Sequence, residues 1–453
     1  MLSSLRNSVF IPLAGSLLCV ALAPIGFSQP PNVLLILSDD QGTVDIDAFG
    51  AHDLHTPQLN RLAGKGVRFT QFYVGAPVCS PSRAALLTGR FPHRAGVPSN
   101  VGLEAEGLPA EQTTIAEMLK EAGYATGIVG KWHLGEVNGK GPLDQGFDSF
   151  FGHMRGCIDN YSHFFYWSGP NVHDLWRNGR EVYESGTHFS DLMVEEAKEF
   201  IDDSDDEPFF LYLPFNIPHY PLQGTENWRE YYERDVQRQM PENRFHYAAL
   251  VSTLDERVGQ VLDFLERSGK ADDTLVIFLS DHGHSTEERA MFGGGSAGPY
   301  RGSKFSLFEG GVRVPAIAVL PGVIPADETR DQLATSLDLL PTIADLTGAS
   351  LPSEPIDGRS LKAVLNDAAA PSPHDVFHWQ VGEQWAVREG RWKLVVNGRD
   401  TDRTPLKGAD RVFLSDLDED PGESQNLAAE NSEVVERLTA LHEEWAEDVG
   451  AGK

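Results

Sequence analysis

The stretch Asn32-Val33-Leu34-Leu35-Ile36-Leu37-Ser38-Asp39-Asp40 runs an unbroken apolar segment straight into two carboxylates. A β-strand sends alternate side chains to opposite faces, so a continuous apolar run is buried on both. Three more runs share this form. Ala125–Val129 leads into Gly130, Lys131, Trp132 and His133; Phe209–Leu213 leads into Asn216 and His219; Thr274–Leu279 leads into Asp281, His282 and His284. Between them, Thr114–Ala122 and Tyr247–Ser268 carry helical patterns, the latter with apolar residues three and four apart. The expected fold class is therefore α/β, a large, mostly parallel sheet sandwiched by helices. Ligands of such sheets bind beyond the carboxyl ends of the strands, and all four polar clusters fall there.

Downstream, a helix is expected from Asp338, with Pro341 in its first turn and Gly348 at its end. Ala368–Pro373 reads as a linker. Short strands follow at Gln384–Val387, Trp392–Val396 and Val412–Leu417, then a closing helix over Ser432–Val449. The division is a large domain over residues 29–367 and a small C-terminal α+β domain over 368–453. A chain of 453 residues supports two cores, because single cores stop growing near about 250–300 residues.

Residues 1–28 read as a cleavable export signal: one Arg near the start, an apolar run over Val9–Ala23, then small residues and Phe27 before Ser28. Pro12 and Pro24 bracket a run shorter than the roughly 20 residues of a spanning helix. The chain is thus expected to be exported, periplasmic or extracellular, with no stable membrane insertion. A net charge of −30 repels a nucleic-acid backbone. A local cluster of Arg, Lys and a metal can still draw in a small anion. Beyond the signal only Cys79 and Cys157 remain of three cysteines, too few for a disulfide scaffold. They pair with each other, or Cys79 is free and modified.

The second reading rests on Cys79-Ser80-Pro81-Ser82-Arg83, followed by Thr88-Gly89-Arg90. Pro81 fits the first turn of a helix, which puts Cys79 at its positive end, where an anion is stabilised. Arg83 adds a forked donor for oxyanions. The pattern resembles that of the type I, formylglycine-dependent sulfatases of the alkaline phosphatase-like superfamily: Cys-x-Pro-x-Arg, then Thr-Gly-Arg. In that family a separate formylglycine-generating enzyme oxidises the Cys, and the hydrated aldehyde is the nucleophile.

The resemblance implies the rest of the site. Asp39 and Asp40 match the family's first metal pair, Asp281 and His282 its second, and the modified Cys79 also faces the ion. Lys131 and His133 fall in Gly-Lys-Trp-His-Leu-Gly, and His219 and Lys304 match two later sulfate-side cations. Three carboxylates at one point repel unless a hard cation joins them, and oxygen ligands suit calcium or magnesium. The resemblance favours one Ca2+ per chain over Mg2+. Its mechanism has Arg83 and Lys131 hold the hydrate and sulfate, His219 and Lys304 bind sulfate and protonate the leaving oxygen, and His133 regenerate the aldehyde. Asn160 and His163, in the aromatic-rich loop Gly152–Arg180 that also holds Phe165, and Trp385 of the small domain are the candidate contacts for a sulfated saccharide. Two rival readings are a phosphonate or phosphate monoester hydrolase of the same superfamily and an inactive binder of sulfated glycans.

Overall fold

Asn32–Ser38 lies in the middle of an 11-stranded sheet, with Thr274–Ser280 and Phe209–Pro214 parallel on either side. The computed structural model describes residues 30–102, 106–136, 139–166, 170–204, 207–235 and 240–451, and the expected export signal lies outside them. Ala125–Lys131 and Ser149–His153 extend the parallel run beyond Phe209–Pro214. On the other flank Arg313–Val319 and Val67–Tyr73 run antiparallel, a reversal that the apolar pattern did not single out.

The alternation of the central strand builds the core. Val33, Leu35 and Leu37 join one hydrophobic cluster, with Ala84 to Leu87 of the helix Cys79–Thr88 and Ile115 to Leu119 of the helix Ile115–Glu121. Leu34 and Ile36 join the other, with the helices Pro57–Gly64, Phe189–Asp203 and Glu242–Arg267. All five apolar residues are fully buried, each stabilising by about 1.5–3 kcal/mol relative to exposure. The last of these helices starts before the expected Tyr247, because its first turn is polar: Arg244 pairs there with Asp45 and Asp53.

The C-terminal segment forms a four-stranded antiparallel sheet covered by the helix Ser432–Val449. Its first strand, Val376–Val381, was not expected from the sequence. That strand carries Phe377 and Trp379 into the core of the large sheet, where the Trp379 Nε1 donates to the Val74 carbonyl at 2.8 Å. The small sheet is thereby fastened to the strand that precedes Cys79.

Candidate active site

Ser38 and Ser280 are registered side by side, so Asp39–Asp40 and Asp281–His282 leave the sheet together. The Asp40 amide donates to Asp281 Oδ1 at 3.1 Å, and the Asp281 amide to the Ser38 carbonyl at 3.0 Å. Asp40 is left-handed, at φ 63°, a conformation costing about 1–3 kcal/mol and tolerated only where surrounding contacts impose it. The helix Cys79–Thr88 aims its N-terminus at the same point and ends on left-handed Gly89. Buried Cys79 stands at its first residue and Arg83 one turn on.

Each carboxylate meets a buried cation. Lys131 Nζ lies 2.6 Å from Asp39 Oδ2, Arg83 binds Asp281 Oδ2 at 2.9 Å through a terminal nitrogen, and Lys304 Nζ lies 3.0 Å from Asp40. Arg83 also donates to the Lys131 carbonyl at 3.1 Å, which ties helix to strand. His219 Nε2 is 3.7 Å from Asp40, and His282 Nε2 is 3.3 Å from both Asp40 Oδ1 and Cys79 Sγ.

Burial and charge set the protonation states. Burial raises the Cys79 thiol, yet Lys131 and Lys304 outweigh it and bring it down to about 6. Burial takes Asp40 up to about 8. It would lower His282, but Asp281 and Cys79 lift that imidazole to about 9. Burial, reinforced by Lys131 for His133 and by Lys304 for His219, holds both well below the ordinary histidine value. Lys304 is held well above the ordinary lysine value, because Asp40 overrides its desolvation.

These residues fit a hard cation. Single donor atoms of Asp39, Asp40, Cys79 and His219, and likewise of Asp39, Cys79, Asp281 and His282, lie within 4.8 Å of one another. Asp40 Oδ1 is buried and faces only cationic groups, Lys304 Nζ at 3.0 Å and His282 Nε2 at 3.3 Å. His282 Nδ1 sits 2.9 Å from the Gly283 carbonyl, so it carries a hydrogen in either protonation state, and loss of the Nε2 proton would leave that lone pair on the carboxylate side.

A cleft of about 310 Å³ opens over this cluster, lined by Cys79, His133, His219 and Lys304. His133 is left-handed, at φ 57°, and its ring lies over Gly156, where a Cβ would come within 2.8 Å. A larger groove of about 950 Å³ lies at the other end of the strands, near Thr274 and Val319, away from the cluster.

A family model described as Sulfatase matches residues 31–349, and one described as N-sulphoglucosamine sulphohydrolase, C-terminal, matches residues 302–448. The chain belongs to the sulfatase family. Its curated relatives include human arylsulfatase A, 36% identical over 94% of this chain and 90% of that protein. Another is the N-acetylgalactosamine-6-sulfatase of Canis lupus familiaris, 35% identical over 82% and 73%. Among solved structures, Ps i-CgsB superposes with a TM-score of 0.82 at 29% identity, covering 92% of this chain and 93% of that one. The phosphonate monoester hydrolase of Agrobacterium radiobacter shares the fold, with a TM-score of 0.64 at 20% identity over 93% and 96%. The protein is accordingly a sulfuric ester hydrolase with an alkaline phosphatase-like α/β fold.

Within this sulfatase the expected chemical residues, from Asp39 to Lys304, converge, whereas the three expected sugar contacts do not. Asn160 accepts from Asn216 at 2.9 Å and holds the loop from within. His163 is buried, with Nε2 at 3.1 Å from the Thr187 carbonyl. Trp385 stacks on His442 at 4.1 Å in the small domain. None lines the cleft, because each is committed to internal packing. The cleft wall is formed instead by Phe165 of the aromatic-rich loop, with Glu136, Arg155, Cys157 and Glu287, which no motif flagged. Cys157 and Cys79 are both free thiols.

Proposed function

We propose that this sulfatase is exported to periplasm or medium and removes sulfate from saccharides, with Cys79 oxidised to formylglycine by a formylglycine-generating enzyme and one Ca2+ bound. The observation that carries this reading is the meeting of Cys79, the three carboxylates and the three buried cations in one cluster, from which Cys79 and Lys304 line the cleft. The saccharide assignment draws support from Ps i-CgsB, which was also solved in complex with k-i-k-neocarrahexaose.

Asp39, Asp40, Asp281 and His282 would hold the cation together with residue 79. When bound, calcium supplies positive charge to the sulfate oxygens and acidifies the nucleophile. When formed, the aldehyde hydrate supplies two hydroxyls, one to attack sulfur and one to expel the sulfate afterwards. Around these groups the chain's own residues position and move protons. Arg83 and Lys131, already fixed by Asp281 and Asp39, present positive charge to the sulfate without reorganising, a contribution typically of several kcal/mol. Lys304 keeps its proton and holds the ester oxygens. His219 has Nδ1 committed to the Tyr220 carbonyl at 2.7 Å, which turns Nε2 toward the sulfate side. An ester anion between Lys304 and His219 favours the imidazolium, which can then protonate the departing alcohol. Neutral His133 is a base placed to take the proton of the second hydroxyl.

The test is the mass of the tryptic peptide carrying Cys79 after co-production with a formylglycine-generating enzyme, alongside turnover of matched aryl sulfate and aryl phosphate esters and a panel of sulfated saccharides. Aldehyde or its hydrate at residue 79, with sulfate released from a saccharide, is the expected result. Faster phosphate than sulfate turnover would transfer the assignment to phosphoester hydrolysis. An unmodified, inactive protein would support the binding reading.

A further inference from the structure

One wall of the cleft carries a fixed donor and acceptor that the chemistry at Cys79 leaves unused. Arg155 Nε donates to Glu136 Oε2 at 2.8 Å, and the two side chains remain 20% and 22% exposed. The guanidinium lies over the Phe165 ring, 5.2 Å from its centroid. The backbone beneath is clamped as well, since the Met154 and Arg155 amides donate to buried Asp174 at 3.1 and 2.9 Å. Gly156, the next residue, lies under the His133 ring. The segment that presents Arg155 is therefore the one that seats His133, which fixes their separation.

Among the described residues the Arg155 side chain hydrogen-bonds to Glu136 alone, through Nε, and both side chains line the cleft. An uncompensated Arg here would favour a second anion. Glu136, in contact with the same guanidinium, cancels that charge and repels an incoming anion. What remains at the wall is a guanidinium held beside a carboxylate and backed by the Phe165 ring. That combination matches neighbouring hydroxyls, whose oxygens accept from Arg155 and whose hydrogens go to Glu136.

We infer that Arg155 and Glu136 are specificity-determining residues that recognise a neutral vicinal diol on the sulfated sugar, so that this sulfatase prefers a monosulfated sugar with free neighbouring hydroxyls. This rests on the saccharide sulfatase reading above. Because both groups are held before substrate arrives, little ordering entropy opposes the contact.

The test compares the formylglycine-bearing wild type with Arg155→Ala and Glu136→Gln on three substrates: an aryl sulfate without hydroxyls, a monosulfated hexoside, and its deoxy analogue lacking the neighbouring hydroxyl. Hydrogen bonds to charged groups are worth enough for a fall of about 10- to 100-fold in kcat/KM on the hexoside relative to the aryl sulfate in each variant. The deoxy analogue should show the same penalty in wild type and almost none in Arg155→Ala. An equal loss on all three substrates would reduce the pair to a structural role and overturn the inference. So would a wild-type preference for a hexoside sulfated at the neighbouring hydroxyl as well. If the wild type turns over the aryl sulfate and no saccharide, the saccharide reading fails; if it turns over neither, the catalytic reading fails. The two failures are thus told apart by the aryl sulfate.

Discussion

Loading the cluster with calcium should release protons, and the structure gives their number. In the protein with unmodified Cys79 and no metal, His282 titrates at about 9 and Asp40 at about 8. Both face the point where a cation would sit, since His282 Nε2 and Asp40 Oδ1 are 3.3 Å apart. At pH 7 both sites are largely protonated, and a cation needs the imidazole lone pair and the bare carboxylate, so binding displaces about one to two protons. The sign follows: affinity falls as pH falls, by at least about one decade per pH unit between pH 6 and 8, and levels off above about pH 9. Calorimetric titration with Ca2+ in two buffers of different protonation enthalpy reads the proton count directly. Equal heats in both buffers, or a Kd that holds constant from pH 6 to 8.5, would refute the assignment of His282 and Asp40 as ligands.

Replacing Cys79 with Ala should abolish turnover of every sulfate ester and leave the thermal melt near that of the wild type; unchanged turnover would remove Cys79 from the chemistry. Lys131→Met removes the nearest cation from the buried carboxylate of Asp39 and leaves it Arg83 at 3.6 Å, and chemical unfolding in chelator should show a loss of about 3–5 kcal/mol, partly restored by calcium; a loss below about 1 kcal/mol would contradict the pairing. Trp379→Ala empties a fully buried site and removes the bond to the Val74 carbonyl, for a cost of about 3–5 kcal/mol by the same measurement. His133 is held below the ordinary histidine value, so it remains a base as pH falls through 6.5, and the acid limb of the kcat profile that it governs should lie below that pH; a limb above 7 would assign it to another group.

Legibility followed burial on both faces. Asn32–Leu37 and Thr274–Leu279 announce themselves because no polar residue interrupts a strand covered by helices on each side. The polar residues that end them were legible for the same reason: a carboxylate or histidine at such a boundary stands out against an apolar run. Val376–Val381 was hidden because His378 and Gln380 interrupt its apolar residues, and its partner surface lies across the chain at Tyr73 and Val74. The cleft wall was invisible for another reason. Arg155 and Glu136 meet only through the fold, and a single Arg or Glu in a loop carries no pattern. The same holds for Asn160, His163 and Trp385, whose polar and aromatic character suited sugar contact: the fold turned the first two inward and stacked the half-buried Trp385 on His442, outside the cleft lining.

The charge account of the site explains how a protein with a net charge of −30 handles anions. Asp39, Asp40 and Asp281 are each matched by one cation, Lys131, Lys304 and Arg83, so the six side chains sum to zero when all are ionised. A divalent cation then adds two positive charges to these six side chains, with His133 and His219 neutral in the resting site. A sulfate monoester brings one negative charge and an ionised nucleophile another, which offset those two, and the proton that the ester draws onto His219 is the one handed to the departing oxygen. Within a buried site such imbalances are screened far less than at the surface. The six-residue balance therefore favours the reacting complex over the resting state, and removing any one cation should harm turnover more than it harms substrate binding.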